Sequence, residues 1–309
     1  MTPDWRDALS EAKGLRVLCD EPMAAHTTYK VGGRARAFVM VEDLEALESA
    51  LSWLASSGIP TLVVGNGSNV LFSDEGFGGA VLCLAKGFDG IELSRSDGAS
   101  GHVLRVGAAK SITKLIRFVK AERLSGVEFL GGVPGTVGGA VKMNAGTVLG
   151  EVKDSLLRAK ITTAGGGTRW LEVGELGLSY RHSELPEGAV VVGAEFACSD
   201  ANDDTFDRLE HVLRYRKETQ PLQMPSCGSV FANPPGDHAG RLIEVCGLKG
   251  RTIGGAQVSQ MHANWIVNLG QATAGDVRGL IDLCVDTVRG RFGIELRHEV
   301  QLLGDWGNA

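Results

Sequence analysis

The chain has 309 residues, of which 43% are hydrophobic and 22% charged, and its formal net charge is −6 at pH 7. This composition predicts a globular protein of about two or three domains, and without a basic excess it disfavours nucleic acid or an anionic membrane as a partner. The first twenty residues lack the apolar run of a secretory signal, and no later stretch is apolar for the ~18 residues of a membrane span. We therefore expect a cytoplasmic protein, and we expect it to be a monomer.

Cysteine and glycine usage narrows the class further. The six cysteines are widely scattered and form no CxxC pair, which predicts neither a metal site nor a disulfide framework and suits a reducing compartment. Glycine makes up 43 of the 309 residues, about twice its usual ~7%, and it clusters instead of repeating with a period. Loops that approach a ligand closely would explain this clustering.

The first predicted elements form a strand, a helix and a second strand between residues 34 and 72. RARAFVMV predicts a strand, leucines recur at helical spacing from Leu44 to Leu54, and IPTLVVG predicts the second strand. That strand runs into GNGSN (65–69), and VLF follows without a helix. Because a Rossmann turn opens a helix at this point, the pattern disfavours an ordinary dinucleotide fold.

The remaining elements predict a change of character near residue 201. From 79 to 200, short β-rich runs alternate with one amphipathic helix, SITKLIRFVKAE. Beyond 201 come a charged helix, FDRLEHVLRYRKE, a short helix near AGRLIEVC, and a glycine-rich strand region, TIGGAQVS. A long helix follows, which Thr273 and Asp276 are placed to cap. We expect a second lobe to begin near 201.

The final predicted strand, IELRHEVQLL (294–303), alternates with a period of two residues. Its apolar face carries leucine, isoleucine and valine, whereas Glu299 points to the other face. Glu299 then either lies on a solvated face or lines a cleft between lobes, and the pattern leaves both interpretations open.

Two glycine-rich segments carry the strongest sign of a bound ligand. GNGSN and GVPGTVGG (132–139) contain small residues whose backbone N–H groups can converge on a pyrophosphate, and Ser68 and Asn69 add side-chain donors. Each loop alone is equally consistent with a plain glycine turn. Two such loops in one domain favour a large ligand such as a dinucleotide, and TTYKVGG (27–33) precedes them as a third element.

Ordered motifs give the chain a close resemblance to one family. They are TYKVGG, VVGNGSNVLF, FLGGVPGTVGGAVKMNAG, LSYRHS, RYRKETQP, PSCGSVFANP, LIEVCGLKG, IGGAQVS, HANWIVN and ELRHEV. In this order they resemble the UDP-N-acetylenolpyruvoylglucosamine reductases (the MurB family), flavoenzymes of peptidoglycan precursor synthesis. The resemblance covers roughly residues 25–303.

The resemblance implies an α+β fold in which an FAD-binding region of the p-cresol methylhydroxylase type, formed by two subdomains, precedes an α+β substrate-binding domain. Residues 1–78, with or without the extreme C-terminus, would form the first subdomain and 79–200 the second, so that FAD binding falls at about 30–200. Residues 201–309 would form the substrate-binding domain.

The resemblance also implies FAD as cofactor and NADPH as reductant. GNGSN contains neither His nor Cys, so we expect the FAD to be bound non-covalently. The implied cofactor-binding residues are Tyr29, Gly65, Asn66, Gly67, Ser68, Asn69, Gly132, Pro134, Gly135, Thr136, Gly138, Gly139, Asn144, Ala145 and Gly146.

For catalysis the resemblance implies Arg181, Ser229 and Glu299. In such enzymes NADPH reduces FAD, flavin N5 passes a hydride to C3 of the enolpyruvyl sugar nucleotide, and C2 is protonated to give UDP-N-acetylmuramate. Arg181 would pair its planar guanidinium with the substrate carboxylate, Glu299 would hydrogen-bond the enolic species as a donor, and Ser229 would deliver the proton. No GxSxG elbow surrounds Ser229, which disfavours a nucleophilic serine.

The implied substrate contacts are Tyr180, Tyr215, Lys217 and Asn233. Many relatives carry a basic residue where this chain has Ala232, so the resemblance does not extend to the diphosphate or NADPH contacts of that position. The chain also lacks a spare tyrosine for the inserted loop that closes over substrate in one class of the family, so it fits the loopless class (type II).

Two other functions share the flavin loops. A flavin-dependent oxidase of the same fold need not have the catalytic trio, and a non-catalytic FAD-binding regulator would bind flavin without turnover. Within PSCGSVFANP we assign the chemistry to Ser229 and expect Cys227→Ala to be nearly silent for activity.

Overall fold

A computed structural model describes residues 4–95 and 101–307, and the chain divides into two compact units. The first unit comprises Met1–Cys19, Ala37–Asn66 and Gly79–Leu213, and the second comprises Asp20–Arg36, Gly67–Gly78 and Arg214–Ala309. None of the helices within the described ranges has the length and apolar character needed to cross a bilayer.

Seven α-helices occur in the described residues. They are α1 (Trp5–Glu11), α2 (Leu44–Ser56), α3 (Ile112–Ala121), α4 (Val137–Lys142), α5 (Asp203–Thr219), α6 (Ala239–Val245) and α7 (Ala274–Phe292). The predicted cap of the long helix is confirmed, since Thr273 forms a capping box with Asp276 at the start of α7. Ser111 also caps α3 by accepting from the N–H of Lys114.

The same ranges contain seventeen strands. They are β1 (Leu15–Pro22), β2 (Arg34–Val41), β3 (Thr61–Val64), β4 (Val70–Phe72), β5 (Phe77–Leu84), β6 (Ile91–Ser94), β7 (His102–Gly107), β8 (Leu124–Ser125), β9 (Gly146–Thr147), β10 (Gly150–Glu151), β11 (Leu156–Thr163), β12 (Gly167–Glu172), β13 (Val190–Asp200), β14 (Thr252–Ile253), β15 (Ala256–Val258), β16 (Ile266–Asn268) and β17 (Gln301–Leu303). The mixture of helix and strand confirms the predicted α+β class.

The first unit contains two hydrophobic clusters. One lies on α2 and on the four-stranded sheet β1-β2-β5-β3, in which β3 runs parallel to β5. The other lies between α3, α4 and the sheet β12-β11-β13-β7-β6, with β8 added beside β13. The predicted strand–helix–strand is therefore present, with β5 inserted between its two strands.

The outer face of that larger sheet carries charges in cross-strand register. Glu92 pairs with Arg105, Arg105 with Glu195, and Glu195 with Arg158 along neighbouring strands. Burial alone would raise the pKa of Glu195, but hydrogen bonds from Arg158 and Arg105 outweigh it and hold the pKa below its ordinary value. The Arg158 guanidinium also lies 4.6 Å from the ring centroid of Trp170. Charged pairs and this cation–π contact therefore cover the face in place of apolar side chains.

The second unit is built around α7. Its buried face carries Val277, Leu280, Ile281, Cys284 and Val288, as the sequence predicts. They belong to a cluster that also contains residues of α6 and of the sheet β14-β15-β16. A parallel pair of short strands, β4 and β17, completes the unit.

The predicted final strand is wrong over most of its length. Only Gln301–Leu303 forms a strand, and His298 makes an isolated bridge to Phe231. The segment is extended but its backbone bonds go to separate loops, so no continuous ladder forms. The apolar alternation still reports burial, since Leu296 and Val300 are buried while Glu299 is half-buried.

The two compact units do not follow a single cut in the sequence. The chain passes from the first unit to the second after Leu213, and residues 20–36 and 67–78 also fall in the second unit. Because these segments are short and lie far from residue 214 in sequence, periodicity could not assign them. The three-domain division at 78/79 and 200/201 stays a prediction.

We expect the protein to lose stability at alkaline pH through its buried thiols. Burial raises the pKa of Cys198 and of Cys284 to about 12, from 9.0. The folded state keeps these protons while the unfolded chain releases them, so the free energy of unfolding should fall as pH rises through the window from 9 to about 12, by ~1.4 kcal/mol per pH unit for each thiol.

Urea unfolding between pH 7 and 10.5 would measure this dependence. Cys284→Ala should reduce the slope by the share of one thiol, whereas Cys19→Ala, at an exposed thiol, should not change it. Equal slopes for the wild type and Cys284→Ala would contradict the assignment.

Candidate functional site

The first half of GNGSN packs against the second glycine-rich loop within the first unit. A Cβ added to Gly65 would lie 2.5 Å from Thr136 Oγ1, so only glycine fits there. The amide of Asn66 donates to the carbonyl of Gly135 at 3.4 Å. Thr136 is itself buried and caps α4 by accepting from the N–H of Gly139.

Backbone donors in these two loops divide into two groups. Across the described residues, the N–H groups of Asn66, Gly132 and Gly135 have no hydrogen-bond acceptor. Those of Gly138 and Gly139 do have acceptors, the carbonyl of Ala108 and Thr136 Oγ1. The loop N–H groups therefore fit an anion, whereas Gly138 and Gly139 serve the packing and capping of α4.

Gly138 has a packing reason of its own. A Cβ at this position would lie 2.9 Å from the Cβ of Ala108, so glycine allows α4 to approach β7 closely. The predicted contacts of Gly138, Gly139 and Pro134 with a cofactor stay predictions.

Arg181 stands at the tip of a tight turn in the first unit. The backbones of Ser179 and His182 exchange two hydrogen bonds of 3.0 Å, and Arg181 has a φ of 57°. Its Nη2 donates to the carbonyl of Gly146 at 3.0 Å, and its guanidinium lies 5.0 Å from the ring centroid of Tyr180. Arg181 is thus half-buried and oriented by the loop 144–150.

The second half of GNGSN belongs to the second unit. Gly67 has a φ of 61°, and a Cβ there would lie 2.0 Å from the carbonyl oxygen of His26, so this position requires glycine. Its carbonyl accepts from the N–H of Thr28 at 3.0 Å. Within the part of the chain that the structure describes, the N–H of Gly67 has no acceptor.

Ser229 and Glu299 lie on paired segments of the second unit. The N–H of Glu299 donates to the carbonyl of Val230 at 2.7 Å, which places the two predicted catalytic residues on neighbouring stretches of backbone. Asn69 holds the same stretch from its other side, because its amide donates to the carbonyl of Glu299 at 3.0 Å. Ser229 is exposed and Glu299 half-buried.

Sequence reasoning gave no role to the two asparagines of HANWIVN. Asn264 is 5% exposed, and its amide brackets Phe231 by accepting from the N–H at 2.9 Å and donating to the carbonyl at 2.8 Å. Asn268 donates to the carbonyl of Tyr29 at 2.9 Å. Two asparagines inside an apolar run could have indicated buried side chains that hydrogen-bond the backbone of other segments.

Tyr29 has no exposed surface, and its buried hydroxyl has no hydrogen-bond partner among the described residues. Burial raises its pKa well above its ordinary value. The side chain packs in the core of the second unit, so its predicted contribution to a cofactor site stays a prediction.

The predicted substrate residues differ in their surroundings. Tyr180 is 45% and Tyr215 60% exposed, and Lys217 is also exposed. Asn233 accepts from the N–H of Ala239 at 3.1 Å and so fixes the start of α6. Exposed tyrosines suit ligand contact, whereas Asn233 already has a structural role.

Cys227 is a buried anchor and not a reactive thiol. Its Sγ donates to the carbonyl of Val70 at 3.3 Å and lies 3.7 Å from Thr28 Oγ1, which in turn donates to the carbonyl of Gly67. Burial raises the pKa of Cys227 to about 12. The thiol therefore stays neutral and links the turn before Ser229 to the loop 67–70.

Comparison with known proteins decides the family. A profile described as "UDP-N-acetylenolpyruvoylglucosamine reductase, C-terminal domain" matches residues 220–303, and one described as "FAD binding domain" matches residues 35–172. The chain is 44% identical over 294 residues to the UDP-N-acetylenolpyruvoylglucosamine reductase of Myxococcus xanthus, covering 95% of this chain and 94% of the relative. It belongs to the UDP-N-acetylenolpyruvoylglucosamine reductase family.

Further members of the reductase family agree with this assignment. The enzyme of that name from Halalkalibacterium halodurans is 40% identical over 94% of this chain and 95% of its own length. The crystal structure of the Thermus caldophilus reductase aligns with a TM-score of 0.78 at 37% identity, covering 93% of this chain and 98% of that one. The predicted family and fold are confirmed.

The reductase family implies FAD, and the residues present fit it. Segment 65–66 and the loop 132–136 both lie inside the matched FAD-binding region. Within the described residues, they offer backbone N–H groups without acceptors. They also contain Gly65, where a Cβ would come too close to Thr136. Such donors bind a pyrophosphate without a cationic side chain.

We expect Cys227→Ala to lower the free energy of unfolding by about 1–2 kcal/mol, because it removes a buried sulfur and its hydrogen bonds. Activity of the folded protein should change by less than threefold, since the thiol does no chemistry. Urea unfolding measures the first quantity and steady-state turnover the second.

Cys19→Ala, at an exposed thiol, is the matched control and should leave both unchanged. Rapid alkylation of native Cys227 at pH 8 would contradict the description of a buried neutral thiol.

Proposed function

We propose that this protein reduces UDP-N-acetylglucosamine enolpyruvate to UDP-N-acetylmuramate in peptidoglycan precursor synthesis, with non-covalent FAD as cofactor and NADPH as reductant. Membership of the reductase family over 95% of the chain is the observation that carries this proposal. The free backbone donors of the flavin loops and the pairing of the Ser229 and Glu299 segments support it.

FAD would be held by backbone groups instead of by cations. The N–H groups of Asn66, Gly132 and Gly135 would meet the pyrophosphate, and the loop 144–150 would lie along the rest of the cofactor. Bound FAD supplies the hydride that the enolpyruvyl C3 receives.

Arg181 would bind the carboxylate of the substrate. A guanidinium matches a carboxylate through two parallel N–H donors, and the Gly146 carbonyl fixes its orientation through Nη2. Negative charge that grows on the carboxylate during reduction would thus meet a positive group that is already in place.

Ser229 would supply the proton to C2, and Glu299 would hydrogen-bond the enolic oxygen. A serine hydroxyl is a weak acid, so it serves only a strongly basic centre such as a developing carbanion. A donor held at a fixed position protonates one face and sets the configuration of the new stereocentre. Glu299 can donate only while its carboxyl carries a proton, and its backbone is held on both sides.

The uridine diphosphate would be bound by Tyr215, Lys217 and Asn233, and Tyr180 would be a further substrate contact. We place the protein in the cytoplasm, where UDP-sugars and NADPH are available, and we propose that it acts as a monomer on a small-molecule substrate, with neither nucleic acid nor membrane as partner. The loopless class and the three-domain organisation belong to the same proposal.

An anaerobic stopped-flow experiment tests the proposal. The purified protein should show a flavin spectrum, NADPH should bleach it, and the enolpyruvyl sugar nucleotide should then restore it. Reoxidation by oxygen but not by the sugar nucleotide would indicate an oxidase, and a protein that binds flavin but is not bleached by NADPH would indicate a regulator.

Ser229→Ala separates the two half-reactions. Because Ser229 acts only on the sugar nucleotide, bleaching by NADPH should keep its rate within about threefold, while turnover of the sugar nucleotide should fall at least a hundredfold, the scale of one general acid. Ser226→Ala, three residues earlier in the same segment, is the control. Full turnover by Ser229→Ala would remove Ser229 from the mechanism.

A further inference from the structure

Asn144 is the most completely bonded polar side chain near the Arg181 turn. It has no exposed surface. Its amide nitrogen donates to Glu151 Oε2 and to the carbonyl of Ser179, both at 2.9 Å, and its oxygen accepts from the N–H of Lys153 at 2.9 Å. Both amide hydrogens and the carbonyl are therefore used within the protein.

This bonding leaves neither amide hydrogen available to donate to a cofactor. A side-chain bond to FAD would require breaking a buried hydrogen bond and leaving its partner without one. The family resemblance predicted Asn144 as a cofactor-binding residue, but its side chain faces the carboxylate-binding turn and the end of its own loop. The backbone of Asn144 has a φ of 41°, which asparagine tolerates better than most residues.

The turn that carries Arg181 rests on this segment at three points. Asn144 donates to the carbonyl of Ser179, Arg181 donates to the carbonyl of Gly146, and Ser183 Oγ donates to the carbonyl of Lys142 at 2.6 Å. Of the three donor side chains, only that of Asn144 is fully buried. The position of Arg181 thus depends on a loop whose base Asn144 holds.

We propose that Asn144 is a positioning residue for Arg181, which fixes the turn at Ser179 so that the guanidinium is in place for the substrate carboxylate. The inference rests on the proposed function, because it uses the role of Arg181 in substrate binding. It assigns the effect of Asn144 to the substrate and not to FAD.

Asn144→Asp keeps the size and the left-handed backbone but removes both amide donors. The new carboxylate would face Glu151 and the Ser179 carbonyl, so the turn should lose its anchor. We expect the KM for the enolpyruvyl sugar nucleotide to rise at least tenfold, while the FAD dissociation constant, measured by flavin fluorescence, and the rate of bleaching by NADPH stay within threefold. Asn202→Asp is the matched control, because Asn202 caps a helix at an exposed position and Asn and Asp are equally good helix caps.

The pH profile gives a second readout. The new carboxyl would lie beside Glu151, which should raise its pKa, and its protonated form regains a donor. The ratio of kcat/KM between Asn144→Asp and the wild type should therefore rise as pH falls from 8 to 6. Asn144→Gly, which keeps the backbone without adding charge, should show the higher KM with no such pH dependence and serves if Asn144→Asp does not fold.

A double-mutant cycle with Arg181→Ala closes the test. If Asn144 acts through Arg181, then Asn144→Asp should change kcat/KM by less than threefold in the Arg181→Ala background. A tenfold loss of FAD affinity in Asn144→Asp, an unchanged KM, or an undiminished effect in the Arg181→Ala background would overturn the inference. Failure of the wild type to turn over the sugar nucleotide would instead overturn the proposed function.

Discussion

The second unit depends on one short stretch of backbone, residues 299–301, which is hydrogen-bonded on both sides. On one side the N–H of Glu299 donates to the carbonyl of Val230. On the other side Asn69 donates to the carbonyl of Glu299, and the N–H of Gln301 donates to the carbonyl of Asn69. These bonds join the turn that carries Ser229, the end of GNGSN and the backbone of Glu299, although the three come from distant parts of the sequence.

Local patterns predicted the regular elements well because helices and strands follow periodicity over ten or so residues. The helix after Thr273 has the predicted cap and the predicted buried face. The same reasoning overestimated the strand at 294–303, because alternation reports which side chains are buried and not whether a partner strand exists. It missed α4, which begins inside a glycine-rich loop at Val137, where glycine argues against a helix.

The family resemblance predicted which residues form the site, but the sequence could not reveal their surroundings. The bonds of Asn144 to Ser179 and of Asn264 to Phe231 join residues more than thirty positions apart, so no short window contains both partners. Burial of the Cys227 thiol was equally invisible, because its neighbours Thr28 and Val70 come from other segments. Contacts of this kind decide whether a polar residue binds a ligand or supports a neighbour that does.

The parallel pairing of β4 with β17 has a consequence for how the protein is made. Val70–Phe72 pairs with Gln301–Leu303, and the bond from Asn69 to Glu299 spans 230 residues. Contacts of such separation form late, because a long loop must close before they stabilise anything. During synthesis Asn69 therefore lacks its partners Glu299 and Gln301 until the C-terminal segment has left the ribosome, whereas Gly67 can already pair with Thr28.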